Sequence, residues 1–274
     1  MRSRTARAYV FRGNYNAPYA CPAEMEPLVL IGLLVAAFVA AFLDSIVGGG
    51  GAISLPALLA AGFPPHLALG TNKLAATGAS FMATVRYTNA GIIVLPLALI
   101  LIPFSVVGSL LGAHTVLHVD PRLVKSLVIG VMGGMTVYVL VRRTFGRENR
   151  FAGLVPRQVV TAMGFALAIG FYDGFLGPGT GSFLLFAFIG VQGFDFVRAA
   201  GHARILNFAS NLAALALFAI QDQVDYATGL PMMGAMLAGA YLGSHVGLRH
   251  GARWIKPLFV AMTVVLMAYL LVRR

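Results

Sequence analysis

A chain of 274 residues that is 59% hydrophobic and only 11% charged, with a mean hydropathy of +0.84, lies outside the range of soluble domains, in which about a quarter of residues are charged. Its apolar runs have the length of membrane-crossing helices and lack the roughly 10-residue alternation of a transmembrane barrel, so the composition implies an all-α, polytopic membrane protein. The net charge of +11 is mostly arginine in short connectors and at the two ends, which points to topology and anionic lipid rather than nucleic acid, and the single cysteine, Cys21, excludes an internal disulfide or a cysteine metal cluster.

Residues 1–27 form a basic extension with Arg2, Arg4, Arg7 and Arg12. It lacks the apolar core and small-residue cleavage site of a secretory signal, and is expected to be a disordered tail or to precede a native start at Met25. The run Leu28–Val47 is about 30 Å long as a helix, enough to span a bilayer. It ends in Asp44-Ser45-Ile46-Val47-Gly48-Gly49-Gly50-Gly51, and a glycine run has too high an ordering cost for a lipid-facing helix. Such backbone at membrane depth is tolerated where protein covers it or a polar cavity adjoins it. The piece from Ala52 to Gly62 is too short to span and reads as a half-helix. Over residues 66–90, Lys73, Thr77, Ser80, Thr84 and Tyr87 share one helical face. Ile92–Leu117 carries Gly108 and Gly112 at a spacing suited to close helix contact, and a further run ends at Arg142-Arg143.

The second half repeats the first. At an offset of 129, Phe42, Asp44, Gly48 and Gly50 fall on Phe171, Asp173, Gly177 and Gly179. At 131, Gly62, Gly70, Lys73, Gly108, Gly112, His114, Arg122, Lys125 and Tyr138 fall on Gly193, Gly201, Arg204, Gly239, Gly243, His245, Arg253, Lys256 and Tyr269. The organisation expected is a first membrane repeat over 28–143, a basic connector over 144–164 and a second repeat over 165–274. About eight full spans plus two Gly-broken half-helices are expected, which makes the copies parallel; if each half-helix completes a crossing, they are inverted.

Duplicated modules with interrupted helices typify secondary transporters, whose sites lie at the repeat interface. Asp44 and Asp173 are acids inside apolar runs, where a carboxylate costs about 2.5–3.5 kcal/mol on insertion scales and so faces a cavity or a partner. They read either as cavity-lining, proton-responsive acids or as caps of the glycine loops. Lys73 and Arg204 read either as attractors of an anionic substrate or as ion-pair partners of those acids. Asn207 and Asn211 extend the polar face of Arg204, and the loops at Gly48, Gly49, Gly50, Gly177, Gly179 and Thr180 offer backbone N–H groups to an oxyanion. His114 and His245 read as structural. No cofactor, metal grouping or nucleotide loop is expected, because Gly48–Gly51 is not followed by Gly-Lys-Ser/Thr.

The Asp44–Gly51 motif, Ala68-Leu69-Gly70-Thr71-Asn72-Lys73-Leu74, Gly170-Phe171-Tyr172-Asp173-Gly174-Phe175-Leu176-Gly177-Pro178-Gly179-Thr180-Gly181-Ser182-Phe183 and Leu206-Asn207-Phe208-Ala209-Ser210-Asn211 together resemble the TauE/SafE family of membrane transporters. The likeness covers about residues 28–274. It implies a multi-pass protein of the bacterial inner membrane carrying sulfite, sulfoacetate or related sulfur-containing or organic anions, with lipid and a small anion as partners and a homo-oligomer left open. Two other classes compete with this reading. An intramembrane protease is disfavoured: Tyr172-Asp173 is similar to the Tyr-Asp of such enzymes, but the companion Gly-x-Gly-Asp is absent and both acids are duplicated. A membrane scaffold or assembly factor without transport is the alternative, against which the paired intramembrane charges speak.

Overall fold

The computed structural model describes residues 25–128, 130 and 148–250. The basic extension through Glu24, Cys21, most of 129–147, and the repeat partners Arg253, Lys256 and Tyr269 lie outside the described residues. The described chain is all-helical: α1 (Pro27–Val47), α2 (Gly51–Ala60), α3 (Pro65–Asn89), α4 (Leu95–Leu117), α5 (Pro156–Phe175), α6 (Thr180–Ala187), α7 (Phe196–Ile220) and α8 (Tyr226–His250). Helix α6 runs on into a π-helical turn, Phe188–Gln192.

Local chemistry sets these boundaries. Prolines open α1, α3 and α5 at the first helical position, where a missing N–H costs nothing. At the end of α2, Gly62 and Phe63 donate back to Leu59 and Leu58, closing the helix with a left-handed glycine. Asp195 caps α7 by accepting from the Arg198 N–H at 2.9 Å. Four described helices, α1, α4, α5 and α7, are long and apolar enough to cross a membrane. Leu28, Ile31, Val35, Leu99, Leu111 and Val160 stand exposed on α1, α4 and α5, as lipid-facing residues do. Together these features make a polytopic helical membrane protein.

The elements α5–α8 follow the order of α1–α4. Helices α3 and α7 begin at Pro65 and Phe196, and α4 and α8 at Leu95 and Tyr226, each pair at the 131-residue offset seen in the sequence. The two short helices after the glycine loops have 10 and 8 residues, too few to span on their own.

Packing crosses between the halves. Helix α4 lies on α5: a Cβ on Gly108 or Gly112 would fall 2.2 Å from the Leu167 carbonyl or 2.0 Å from that of Phe171. Helix α8 lies on α1 in the same way, with Gly239 and Gly243 each 2.2 Å, by the same measure, from the carbonyls of Phe38 and Phe42. Small residues thus let backbones meet at both crossings.

The direction of these contacts bears on the repeats. Gly70, Lys73, Phe81 and Tyr87 of α3 meet Phe218, Asn211, Phe208 and Gly201 of α7, an antiparallel pairing. Ser105 and Ser109 of α4 meet Gly170 and Gly174 of α5, and their hydroxyls donate to the Leu206 and Ser210 carbonyls of α7, so these three helices run parallel. Helix α8 runs parallel to α1 at the glycine contacts above, and to α3, where Gly229 meets Thr71 and Leu74 and Gly78 meets Met233. Hence α1, α3 and α8 point one way, and α4, α5 and α7 the other. Every element among these six opposes its counterpart. That relation is the one expected of inverted rather than parallel copies, while the number of crossings between the halves involves residues 129–147, most of which lie outside the described residues.

Candidate functional site

The first glycine loop exists because the backbone turns back on α1 there. Gly48 and Gly49 have φ of 87° and 109°, a region in which a side chain is strained. The turn brings the Gly49 and Gly50 N–H groups to 2.9 Å from Asp44 Oδ1, so the acid caps its own loop. Two of the donors expected to serve an oxyanion, the Gly49 and Gly50 amides, are taken up by this carboxylate. In the second half Gly177 and Gly179 also have positive φ, and the Tyr172 hydroxyl donates to the Pro178 carbonyl across the loop. The two loops touch: a Cβ on Gly48 would fall 2.1 Å from the Ser182 nitrogen, and one on Gly51 would meet Pro178 at 3.3 Å.

The four charges pair across the halves. Asp44 Oδ2 accepts from Arg204 Nη1 at 2.6 Å, and Asp173 Oδ1 lies 2.9 Å from Lys73 Nζ. Each acid therefore holds the cation of the other half, and the site carries no net charge. Arg204 is fully buried, Lys73 and Asp173 are each 2% exposed, and only Asp44, with 16% of its side chain exposed, has appreciable access. Burial at this depth makes each pair a strong constraint, since removing one partner strands a charge. The ion-pair alternative for Lys73 and Arg204 is thus the geometry observed.

Around the pairs runs an amide and hydroxyl network. Lys73 Nζ also donates to Asn211 Oδ1 at 2.9 Å, and Asn211 Nδ2 donates to Asn207 Oδ1 at 3.0 Å. Ser210 donates to Asp173 Oδ2 at 2.5 Å and lies 3.1 Å from the Asn207 carbonyl. Ser54 donates to Asn72 Oδ1 at 2.6 Å. Of these groups, Ser54, Asn72, Lys73, Asp173, Asn207 and Asn211 line a cavity of about 30 Å³, room for about two waters.

Of the expected site residues, Asp44, Gly50, Lys73, Asp173, Gly177, Thr180, Asn207 and Asn211 line this cavity. Gly48, Gly49 and Gly179 shape the loops beside it. Arg204 stands apart behind the glycines, its guanidinium against Gly181, and its Nε and Nη2 have no acceptor among the described residues. Sequence reasoning missed Ser54, Gly181 and Ser210, and passed over Asn72. Asn72 adjoins Lys73 and Ser210 adjoins Asn211, so neighbours of the marked polar residues were the available signal. The polar face of α3 does not line the cavity along its length. Thr77 and Ser80 donate to carbonyls of their own helix, and Tyr87 donates to the Ser45 carbonyl. His245 contacts Arg86 at 3.1 Å, whereas His114 is exposed on α4 with its ring near that of His118.

A helical membrane protein with two broken helices meeting around buried, paired charges has the architecture of a transporter. The family model described as "Sulfite exporter TauE/SafE" matches residues 33–270, and the chain belongs to that family. It is 37% identical over 251 residues to the "Probable membrane transporter protein YfcA" of Escherichia coli K12, covering 90% of this chain and 91% of the relative. A "Probable membrane transporter protein" of Haemophilus influenzae is 36% identical over 240 residues, covering 86% and 92%. The "Probable membrane transporter protein ORF9" of a Sinorhizobium species is 37% identical over 239 residues, covering 87% and 91%. No solved structure matches the chain.

Proposed function

We propose that this protein is a secondary transporter of a small anion in the bacterial inner membrane, admitting its substrate between two inverted copies of one module. The observation that carries this reading is the convergence of Asp44 and Lys73 from one half and Asp173, Asn207 and Asn211 from the other on one cavity walled by both glycine loops. Broken helices flanking a central polar site are the recurrent device of secondary carriers. The family name points to sulfite, and the relatives' names to membrane transport. The chain carries no Gly-Lys-Ser/Thr nucleotide loop, so an ion gradient is the expected energy source. The reading is of a carrier and not an enzyme.

A cavity with room for about two waters is smaller than a sulfonate, so passage of such an anion requires the halves to part. Lys73 is the cation at the cavity wall, and its amide partner Asn211 keeps it there when Asp173 lets go. Counterflow of labelled sulfite, methanesulfonate, sulfoacetate and acetate in proteoliposomes tests the proposal. At least one anion should exchange, and Lys73→Met should lower its exchange at least tenfold per reconstituted molecule. A protein that exchanges none of them, yet co-purifies with one stable partner, would be the scaffold instead.

A further inference from the structure

The two ion pairs are counterparts, yet their surroundings differ in a way that assigns them different work. Asp44 accepts three hydrogen bonds, from the Gly49 and Gly50 amides and from Arg204. None of these donors gives up its proton near neutral pH, and none is able to accept one, so a proton arriving on Asp44 would face only donors. Asp173 has instead one ammonium and one hydroxyl as partners. The hydroxyl of Ser210 has a single hydrogen and two acceptors within reach, Asp173 Oδ2 at 2.5 Å and the Asn207 carbonyl at 3.1 Å. If Asp173 is ionised, Ser210 donates to it. If Asp173 carries a proton on Oδ2, that proton is donated to Ser210 Oγ, whose hydrogen turns to the Asn207 carbonyl. Both protonation states are fully hydrogen-bonded without moving a heavy atom.

Lys73 is similarly prepared for two states. Its ammonium bonds Asn211 as well as Asp173, and it lines the cavity, whereas Arg204 does not. The groups facing Asp173 are Lys73 from α3, Asp44 from α1, and Ser210, Asn207 and Asn211 from α7, with Arg204 of α7 engaged by Asp44. Tyr172, on the same helix, donates to Pro178. Helices α4 and α6 present no titratable group to it.

Resting on the transporter reading above, we infer that Asp173 is the proton acceptor of the transport cycle, taking one proton for each monovalent anion carried, while Asp44–Arg204 stays ionised as a fixed clasp between the halves. The charge balances. A proton from water forms an O–H bond on Asp173 Oδ2, Lys73 exchanges its carboxylate for the entering monovalent anion, and the site has no net charge before and after. Transport is then electroneutral.

Infrared difference spectroscopy of the reconstituted full-length protein, acidified without any anion, reads the proton directly. A buried carboxylic C=O band should appear, vanish in Asp173→Asn, persist in Asp44→Asn and shift in Ser210→Ala, which removes the acceptor of the new O–H. A band that survives Asp173→Asn, or is lost only in Asp44→Asn, overturns the assignment, and Ser210→Ala keeps the test decisive where an acid variant fails to fold. In vesicles loaded with a pH dye, inward methanesulfonate or sulfoacetate gradients should move protons with the anion, with methanesulfonate uptake unchanged by an imposed potassium–valinomycin potential. Counterflow without proton movement, or methanesulfonate uptake that follows the potential, overturns this inference and leaves the carrier reading standing. Absence of counterflow for all four anions overturns both.

Discussion

Replacing Asp44 by Ala isolates the contribution of the clasp between α1 and α7. The change removes the acceptor that Arg204 Nη1 has among the described residues, in a fully buried guanidinium whose Nε and Nη2 have no hydrogen-bond partner among them, and frees the Gly49 and Gly50 amides. Stranding one member of a buried pair costs about 3–5 kcal/mol, and the amide bonds to a charged acceptor overlap with that figure rather than adding in full. Arg204→Leu strands Asp44 less severely, because the two amides still hold it and part of its side chain reaches solvent, so about 2–3 kcal/mol is expected. The double variant removes both charges. It should therefore cost less than Asp44→Ala alone, leaving a coupling of about 2 kcal/mol or more. Reversible unfolding in mixed micelles, with denaturant midpoints for the four proteins of the cycle, measures this. Additive single effects would refute the reasoning, since they would mean the two side chains do not depend on each other.

Four further outcomes follow from backbone geometry and capping. Gly48→Ala should abolish folded protein in the membrane, because the new Cβ falls 2.1 Å from the Ser182 backbone, whereas Gly62→Ala, with the same sign of φ but open space around it, should cost only about 1–2 kcal/mol by thermal shift. Gly239→Val should wedge α8 off α1 and lower the melting temperature steeply, since even a Cβ would fall 2.2 Å from the Phe38 carbonyl. In the same helix Gly234→Ala meets nothing within 4 Å and should stabilise by up to about 1 kcal/mol through helix propensity. Asp195→Ala removes the cap of α7 and should cost about 1 kcal/mol in a chemical-denaturation titration, with Asp195→Asn retaining most of it.

The membrane class, the helical elements and the family were legible in the chain because they rest on local signals. Apolar runs of spanning length, prolines at helix starts and glycines at helix ends are written residue by residue. So was the matching of Asp44 with Asp173 and of Lys73 with Arg204, since a repeated sequence exposes its own equivalences. The role of each pair was not legible. Sequence marks two acids and two cations without saying which acid faces which cation. Only the packing of α3 on α7 and the contact between the two glycine loops bring Asp44 to Arg204 and Asp173 to Lys73. The sense of the copies was hidden for a related reason: composition does not tell whether a 10-residue helix after a glycine turn sends the chain back the way it came, and the contacts between α3 and α7 do. Burial made the last distinction. Lys73 and Arg204 are equivalent in the sequence, yet one lines the cavity and the other lies sealed behind Gly181, because the loops of the two halves meet over one guanidinium and leave the ammonium beside the open space.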